Sequence, residues 1–219
     1  MDASDLTSED ILNAYRCGFF PMAEERDSPD FGWVDPEMRG LLPLQALHVP
    51  ARLKKTILRG PYEIHIDTNF AGVIDGCAAE RPKHKDTWIN KSIRDLFVRL
   101  HQDGHAHSVE CWHDGSLVGG VYGLAFGGAF SGESMFSRAR DASKIALVHL
   151  AARLWKGNFR LFDTQFINPH LMQFGAYEIP RLQYLTDVAL AQSVEADFHA
   201  ADKMDAPTLV RAYLAHLNG

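Results

Sequence analysis

Three neighbouring segments in the middle of the chain are each patterned as β-strands and are separated by tight-turn sequences. The segments are residues 107–112, 117–125 and 129–135, and Asp114-Gly115 and Gly127-Gly128 lie between them. Asp-Gly and Gly-Gly pairs favour the two-residue turns that join adjacent antiparallel strands. The pattern therefore predicts a three-stranded antiparallel meander at the centre of the fold.

Helix and strand patterns on both sides of the meander indicate an α+β order. Asn90 is a favourable N-cap for a helix whose apolar residues recur at helical spacing, and Gly104 ends it. The other predicted elements are a strand at 62–66, a helix at 70–78, a helix from Asp141 or Ser143 to Gly157, a strand at 159–164, a short helix at 169–174, a strand at 177–179, a helix from Pro180 and a helix at 207–217. This order predicts an α+β fold with an acyltransferase-type (GNAT-like) mixed sheet flanked by helices.

The first 50 residues follow a different pattern. Thr7 and Asp10 resemble a capping box, so we expect a short helix there that ends at Gly18. Prolines then recur from Pro21 to Pro50, which argues against a central strand or a long helix in this stretch. We therefore predict a small N-terminal lobe at residues 1–50 and a catalytic domain at residues 51–219 with a helical C-terminal tail.

Composition narrows the class of protein. Apolar residues make up 46% of the 219 residues, enough for a full core, and the net charge of −6 excludes a uniformly basic surface. Cys17, Cys77 and Cys111 are widely spaced, so we expect buried, reduced thiols rather than disulfides or a zinc pair. The acidic start and the lack of a long apolar run predict a soluble, cytoplasmic protein without a signal peptide or a membrane span.

A carboxylate and an amide at the end of a predicted strand form the first candidate site. Asp163 and Gln165 flank Thr164, so they project from the same face of an extended strand. Glu133, between Gly132 and a run of apolar and hydroxyl residues, adds a second carboxylate. Such a set can hold a polar substrate group without a metal. A strand-end cap and a solvated turn carboxylate are the alternative interpretations, and the pattern alone leaves them open.

Longer stretches of the chain resemble the leucyl/phenylalanyl-tRNA–protein transferase family. Between about residues 11 and 185, they are Phe19-Phe20-Pro21, Thr87-Trp88-Ile89, residues 105–112, 117–123 and 132–137, Ala142-Ser143-Lys144, Asp163-Thr164-Gln165 and residues 175–181. The resemblance implies a GNAT-like fold and an enzyme that moves Leu or Phe (Met weakly) from aminoacyl-tRNA to proteins with N-terminal Arg or Lys. This transfer to the α-amine marks the acceptor for N-degron proteolysis. We expect a monomer with no cofactor and no membrane association.

The implied reaction is aminolysis of an ester that is already activated. A free α-amine has a pKa of about 7.7–8.0, so part of it is neutral near pH 7. The enzyme mainly has to align amine and ester and to stabilise the developing oxyanion. The resemblance implies that Gln165 accepts a hydrogen bond from the attacking amine and that Asp163 orients Gln165 or takes up the proton. It implies that Glu133 neutralises the cationic acceptor residue.

The resemblance also implies an apolar pocket for the Leu or Phe side chain. Its walls would be Met22, Trp88, Phe97, Val121, Phe130 and Leu150, with Tyr15 near the terminal adenosine of the tRNA. Without the resemblance, ordinary core is the better interpretation of these residues. In this chain Met22 stands where the family commonly has tryptophan, so one aromatic wall becomes a thioether.

A basic run lies between the two predicted domains. Arg52, Lys54, Lys55 and Arg59 are expected to contact the phosphates of the tRNA acceptor stem, because a local basic cluster stands out in an acidic protein. A second run, Lys83-His84-Lys85, has the same character. A solvated helix face is the alternative interpretation of both runs.

A histidine-rich stretch does not lead to a predicted metal site. It contains His101, His105, His107, Cys111 and His113, and the spacing matches no recognised zinc motif. Alternation along the predicted strand also sends neighbouring side chains of this stretch to opposite faces. We therefore predict that no metal is bound.

Two other functions remain open at this point. An acyl-CoA-dependent acetyltransferase on the same fold needs a glycine-rich loop at a helix N-terminus to hold the pyrophosphate. Residues 137–142, which enter the predicted helix after the meander, lack such glycines. A non-catalytic tRNA-binding module is the third possibility, and it would tolerate the loss of Asp163 and Gln165.

Overall fold

The computed structural model describes residues 6–80 and 87–219 and contains a seven-stranded mixed sheet. The strands are β1 (Phe20–Met22), β2 (Gly32–Val34), β3 (Met38–Leu42), β4 (Glu63–Ile66), β5 (Ala106–His113), β6 (Ser116–Phe126), β7 (Ala129–Ser137), β8 (Leu161–Gln165) and β9 (Tyr177–Pro180). The helices are α1 (Ser8–Arg16), α2 (Ala51–Arg59), α3 (Phe70–Ala78), α4 (Lys91–Gln102), α5 (Ala142–Lys156), α6 (Pro169–Met172), α7 (Arg181–Gln192) and α8 (Ala206–His216). The order across the sheet is β4-β5-β6-β7-β8-β3-β9, and β1 and β2 form a separate ribbon. The predicted α+β class, with a helix-flanked mixed sheet, is confirmed.

The central meander forms as predicted from β5, β6 and β7. In the first turn Asp114 and Gly115 both have positive φ, 49° and 69°, as the tight turns of a hairpin require. After β7 the chain crosses over through α5, and β8 then pairs in parallel with β7. A parallel pair needs such a long connection, and this one brings residues 161–163 beside residues 129–131.

The pairing of β6 with β7 is irregular at Glu133. Tyr122 pairs with Ser134 and Gly123 pairs with Gly132, so Glu133 is an extra residue on β7. A Cβ at Gly123 would lie 2.2 Å from a backbone carbonyl oxygen of β7, so the irregularity requires glycine there. Bulges of this kind redirect a side chain and are common beside active sites.

A second irregularity lies between β3 and β8. Leu41 pairs with Asp163 and Gly40 pairs with Gln165, which leaves Thr164 as the extra residue. Gln165 itself has a φ of 56°, which is uncommon for a residue other than glycine. The regular alternation assumed from the sequence therefore does not continue to the end of β8.

Apolar side chains cover both faces of the sheet. The core on one face includes residues of α2, α5 and α8, and the core on the other includes residues of α1, α3, α4 and α7. Neighbouring strand residues divide between the two cores: Val121 and Phe130 belong to the first, and Tyr122 and Ala129 to the second. The sheet thus holds β7 and β8 between two packed layers.

The proline-rich stretch before residue 50 contains a central strand, so the expectation that it has none is wrong. β3 lies inside the main sheet and pairs antiparallel with both β8 and β9. Pro36 and Pro43 lie on either side of β3 and not within it, so neither removes a ladder hydrogen bond. The division of the chain into two domains at residue 50 stays a prediction.

Helix caps follow the sequence signals closely. Asn90 accepts a hydrogen bond from the backbone N–H of Ile93 and begins α4, and Thr7 and Asp10 form a reciprocal capping box before α1. The structure adds the helix α2, which carries the basic run that begins at Arg52; the sequence predicts this helix only as an alternative interpretation of that run. No helix within the described ranges is long and apolar enough to cross a bilayer.

No disulfide joins the three cysteines within the described residues, and the cysteines differ in exposure. Cys77 and Cys111 are buried. Cys17 is exposed, because it caps the C-terminal end of α1 at the surface, so the expectation of a buried thiol is wrong for this residue.

Candidate active site

A cavity of about 740 Å³ opens beside β7 and β8, within the size range of small-molecule sites. Its apolar lining comes from Phe20, Met22, Trp88, Val121, Met135, Leu147, Phe162, Phe166 and Leu171. Its polar lining includes Glu133, Ser134, Ser137, Ser143, Thr164, Gln165, Asn168 and His170. The polar groups are concentrated on the two irregular strand segments, so the cavity joins an apolar compartment to a carboxyl–amide pair.

Asp163 lies behind this cavity and is completely buried. Arg39 from β3 binds both of its oxygens, with Nε–Oδ1 and Nη2–Oδ2 distances of 2.8 and 2.7 Å. Ser131 and Tyr184 donate their hydroxyl hydrogens to Oδ2 at 2.8 and 3.1 Å, and the backbone N–H of Gln165 donates to Oδ1 at 2.9 Å. Five donors therefore surround this carboxylate, which leaves little room for a further proton donor.

The side chain of Gln165 is held in one orientation by its amide nitrogen. Nε2 donates to Ser131 Oγ at 2.7 Å and to Glu133 Oε1 at 3.1 Å. Ser131 gives its own hydrogen to Asp163, so its oxygen is an acceptor towards Gln165, and the amide cannot be flipped without losing this bond. Both amide hydrogens are used on the protein, and the carbonyl oxygen is the atom available to a ligand in the cavity.

Glu133 lines the cavity as the extra residue of β7. Removal from water raises the pKa of its carboxyl to about 8; the Tyr15 hydroxyl opposes this rise and the negative charge of Asp163 adds to it. Tyr15 is fully buried, and within the described part of the chain its hydroxyl makes no hydrogen bond of standard geometry. The Glu133 side chain lines the cavity and is only partly buried, so solvent in the cavity reduces the rise in its pKa. The group can gain or lose a proton near neutral pH.

Replacing Glu133 with glutamine is expected to stabilise the protein at alkaline pH but not at acidic pH. The folded-state pKa of about 8 lies above the reference value of 4.5, so the folded state binds more protons and ionisation opposes folding as pH rises from about 4.5 to 8. We expect Glu133→Gln to raise the free energy of unfolding by about 1–4 kcal/mol at pH 8.5 and by much less at pH 5.

Urea unfolding at the two pH values measures this difference. Glu178→Gln serves as the matched control, because Glu178 is exposed on β9 and lies outside the cavity. An equal effect of Glu133→Gln at pH 5 and pH 8.5 would contradict a raised pKa for Glu133.

Comparison with known proteins identifies the family. The family model described as "Leucyl/phenylalanyl-tRNA protein transferase" matches residues 41–189, and the model described as the N-terminal domain of the same protein matches residues 4–37. The chain belongs to the leucyl/phenylalanyl-tRNA–protein transferase family. The resemblance seen in the sequence motifs is thereby confirmed.

Relatives named "Leucyl/phenylalanyl-tRNA--protein transferase" match over nearly the whole length of both chains. The protein of Rhodopseudomonas palustris strain TIE-1 is 52% identical over 205 residues, which cover 94% of this chain and 91% of that protein. The protein of Nitrobacter winogradskyi is 52% identical over 198 residues, covering 90% and 88%. The protein of Caulobacter vibrioides is 51% identical over 193 residues, covering 88% and 89%. The relatives are named as enzymes that act as aminoacyltransferases.

The amino-acid pocket predicted from the resemblance to this transferase family divides into two groups. Met22, Trp88 and Val121 line the cavity. The other predicted residues, Tyr15, Phe97, Phe130 and Leu150, are buried at 0–1% exposure and do not line it. Phe130, for example, packs edge-on against the cavity residue Phe162 at 5.9 Å, so it lies one layer behind the cavity wall.

Several residues that line the cavity are not among those predicted from the sequence. Phe20 and Met135 lie within motifs that carry the family resemblance, but Leu147, Phe162, Phe166 and Leu171 carried no signal that separates a cavity wall from core. The sequence also gives no signal for Arg39, because a separate lobe at residues 1–50 predicts no contact with β8. The motif around Phe20 was the one available indication that the N-terminal region reaches this site.

The basic residues expected at the tRNA lie on α2. Arg52, Lys55 and Arg59 are exposed and Lys54 is half-buried. Within residues 6–80 and 87–219, no carboxylate lies within ion-pair distance of these four side chains. The second run, Lys83-His84-Lys85, lies outside the described residues.

Proposed function

We propose that this protein transfers Leu or Phe, and Met weakly, from aminoacyl-tRNA to the α-amine of proteins that begin with Arg or Lys. The transfer would mark those proteins for N-degron proteolysis, and the enzyme would act in the cytoplasm as a monomer. The observation that carries the proposal is the cavity in which the Gln165 carbonyl and the Glu133 carboxyl adjoin a large apolar compartment. Family membership supports the same activity.

The apolar compartment suits the side chain of the transferred amino acid. Met22, Trp88 and Val121 supply aromatic and aliphatic surface, and Phe162 and Leu171 extend it. A Leu or Phe side chain would bury its apolar surface here, while its ester carbon would face the polar segments of β7 and β8. A pocket of this kind discriminates against a side chain that lacks one methylene by only about 1–3 kcal/mol. This weak discrimination fits a substrate range of several apolar residues.

The acceptor amine would be activated by Gln165 and Glu133 together. An α-ammonium group has a pKa of about 7.7–8.0, close to the value of about 8 for Glu133, so a proton passes between the two at little cost. The freed amine would donate one hydrogen to the Gln165 carbonyl, which aims its lone pair at the ester carbon. A new C–N bond forms, the C–O bond to the tRNA ribose breaks, and the proton that the attacking nitrogen loses is taken up by the departing ribose oxygen.

Asp163 would act as an orienting group and not as the base. Its oxygens are occupied by five donors, two of them from the guanidinium of Arg39. Through Ser131 and the backbone of Gln165, the carboxylate would keep the amide in the orientation that presents its carbonyl oxygen. We also propose an N-terminal lobe at residues 1–50 and a catalytic domain at residues 51–219, with β3 of the N-terminal segment contributing Arg39 from within the main sheet.

The first test of the proposal is a transfer reaction followed by mass spectrometry. A peptide with N-terminal Arg is incubated with the protein and Leu-tRNA, and we expect one added leucine at its N-terminus. A peptide that differs only in having Ala at its N-terminus should stay unchanged. The Arg peptide should also stay unchanged when free leucine and uncharged tRNA replace Leu-tRNA. No addition from Leu-, Phe- or Met-tRNA would overturn the proposal and would favour a binding module or a CoA enzyme.

An acyl-CoA-dependent acetyltransferase remains the runner-up function on this fold. The residues that lead into α5, from Ser137 to Asp141, contain no glycine, and Asp141 caps α5 without a side-chain hydrogen bond. A pyrophosphate needs several free backbone N–H groups at such a helix start. Binding of acetyl-CoA to the protein would be the observation in favour of this alternative.

The exposed basic residues of α2 are proposed to contact the tRNA backbone. We expect the double variant Lys55→Ala/Arg59→Ala to weaken Leu-tRNA binding and to reduce the slope of log K against log salt by about 1–2, because each phosphate contact releases counterions. Filter binding at several salt concentrations measures the slope. Lys203→Ala, an exposed lysine outside α2, is the control, and an unchanged slope in the double variant would remove α2 from the footprint.

A further inference from the structure

Three potential metal ligands from distant parts of the chain meet beside the main sheet. Asp67 follows β4, His107 lies on β5, and His199 lies in the 3-10 turn at Phe198–Ala201. One ligand atom from each lies within 4.8 Å of the other two. The sequence spacing predicts no metal here, but the fold brings His107 to ligands from other elements, and we propose that Asp67, His107 and His199 bind a divalent transition-metal ion of the zinc type. This site is separate from the transfer reaction and does not depend on the proposed function.

The ligand atoms of His107 and Asp67 are already close enough to bind the same ion. His107 Nδ1 and Asp67 Oδ2 are 2.7 Å apart, the separation of two ligands about 2.1 Å from one ion at an angle of about 80°. The ion would take the place of the hydrogen that these two atoms share. The ring of His199 lies 5.3 Å from that of His107 and nearly perpendicular to it, and one ligand atom of His199 lies within 4.8 Å of those of Asp67 and His107.

Two further groups orient the proposed ligands. Asp202 Oδ2 is 2.9 Å from His199 Nδ1, which leaves Nε2 of His199 for the ion. The backbone N–H of Ser108 donates to Asp67 Oδ1 at 2.6 Å, which leaves Oδ2. A carboxylate on the second nitrogen of a ligating histidine is the usual outer partner at metal sites, since it fixes the tautomer and the ring orientation.

The buried half of the site is rigid and the other half is open. His107 is only 4% exposed, and its ring stacks on Phe198 at 3.9 Å. Asp67 has a φ of 55°, and strained residues of this kind concentrate at functional sites and ligand clamps. The side chain of His199 is 56% exposed, so water can fill the remaining positions. Two imidazoles and one carboxylate favour zinc and its neighbours over calcium or magnesium.

Binding would join the C-terminal segment to the sheet. The 3-10 turn that carries His199 leads into α8, which packs against α5. Phe198 in this turn also stacks against Phe130 of β7 at 6.0 Å. A cation bound by Asp67, His107 and His199 would therefore hold residues 198–216 against the main sheet, and it would stabilise the folded protein by mass action.

The test is zinc binding by the full chain after removal of metals with a chelator. Zinc alone is titrated against a chromophoric chelator, and we expect one ion per chain and an increase in the melting temperature. His199→Ala should raise the dissociation constant by about 100-fold or more and abolish the thermal shift, and Asp202→Asn should raise it by about 10-fold or more. His199 is exposed, so its replacement leaves the core intact.

His113→Ala is the matched control, because His113 is an exposed histidine of the same strand, outside the cluster. It should bind zinc as the unaltered chain does. The proposal is overturned if the unaltered chain binds zinc no more tightly than His199→Ala, or if His113→Ala weakens binding to the same extent.

Discussion

Arg39→Met is expected to lower the free energy of unfolding by about 3–5 kcal/mol, because it leaves the carboxylate of Asp163 buried without its counter-ion. Arg39 and Asp163 are 1% and 0% exposed, and both oxygens of the carboxylate are bonded to the guanidinium. The lost cation also packs over the rings of Phe20 and Tyr184, at 4.7 and 4.4 Å. Equilibrium unfolding in urea measures the loss.

A second ion pair supplies the control for this prediction. Arg94 binds Asp75 with the same two-point geometry, at 2.5 and 3.1 Å, but at the surface. Arg94→Met should cost no more than about 1 kcal/mol. If Arg39→Met does not fold, the double variant Arg39→Met/Asp163→Asn should recover soluble protein, since it removes both charges. Equal losses for the two single variants would refute the special cost of the buried pair.

Gln165→Ala is expected to lower the rate of leucine transfer by about 100-fold while Leu-tRNA binding changes little. In the proposed mechanism, the Gln165 carbonyl contacts the attacking amine and the apolar walls hold the amino acid, so its loss affects the reacting geometry more than affinity. Single-turnover transfer to a peptide with N-terminal Arg gives the rate, and filter binding gives the affinity.

Gln183→Ala is the matched amide control, because Gln183 is exposed on α7 and its side-chain amide donates a hydrogen bond to Asp187 on the same helix. It should leave both quantities unchanged. Equal losses of rate and of binding in Gln165→Ala would make Gln165 a binding residue. An unchanged rate would favour the non-catalytic tRNA-binding module.

Most elements of the fold could be predicted because their signals are local. The meander was predicted from alternation and from the turn at Asp114-Gly115, and α4 from its cap at Asn90. The predictions failed in the segment around β3. Its prolines argue against a central strand, although Pro36 and Pro43 only border a strand of five residues. Proline removes a strand hydrogen bond only at its own position, so two prolines do not argue against a strand that lies between them.

The candidate site could be predicted in part. Asp163, Gln165 and Glu133 each lie in a short motif, and the structure brings their side chains into one hydrogen-bonded group through the hydroxyl of Ser131. Which apolar residues form the wall could not be predicted. Val121 lines the cavity whereas Phe130 is core, and both are large apolar residues on adjacent strands.

The sequence by itself determined the caps, the turns, most strands and helices, and the family, since these depend on residues that are near one another in the chain. Only the tertiary structure decided that Arg39 holds Asp163, 124 positions away, and that His199 reaches His107. The physical reason is that such contacts depend on strand order and register. A shift of one residue in register moves a side chain to the opposite face of the sheet, and no local pattern encodes which distant strand arrives beside it.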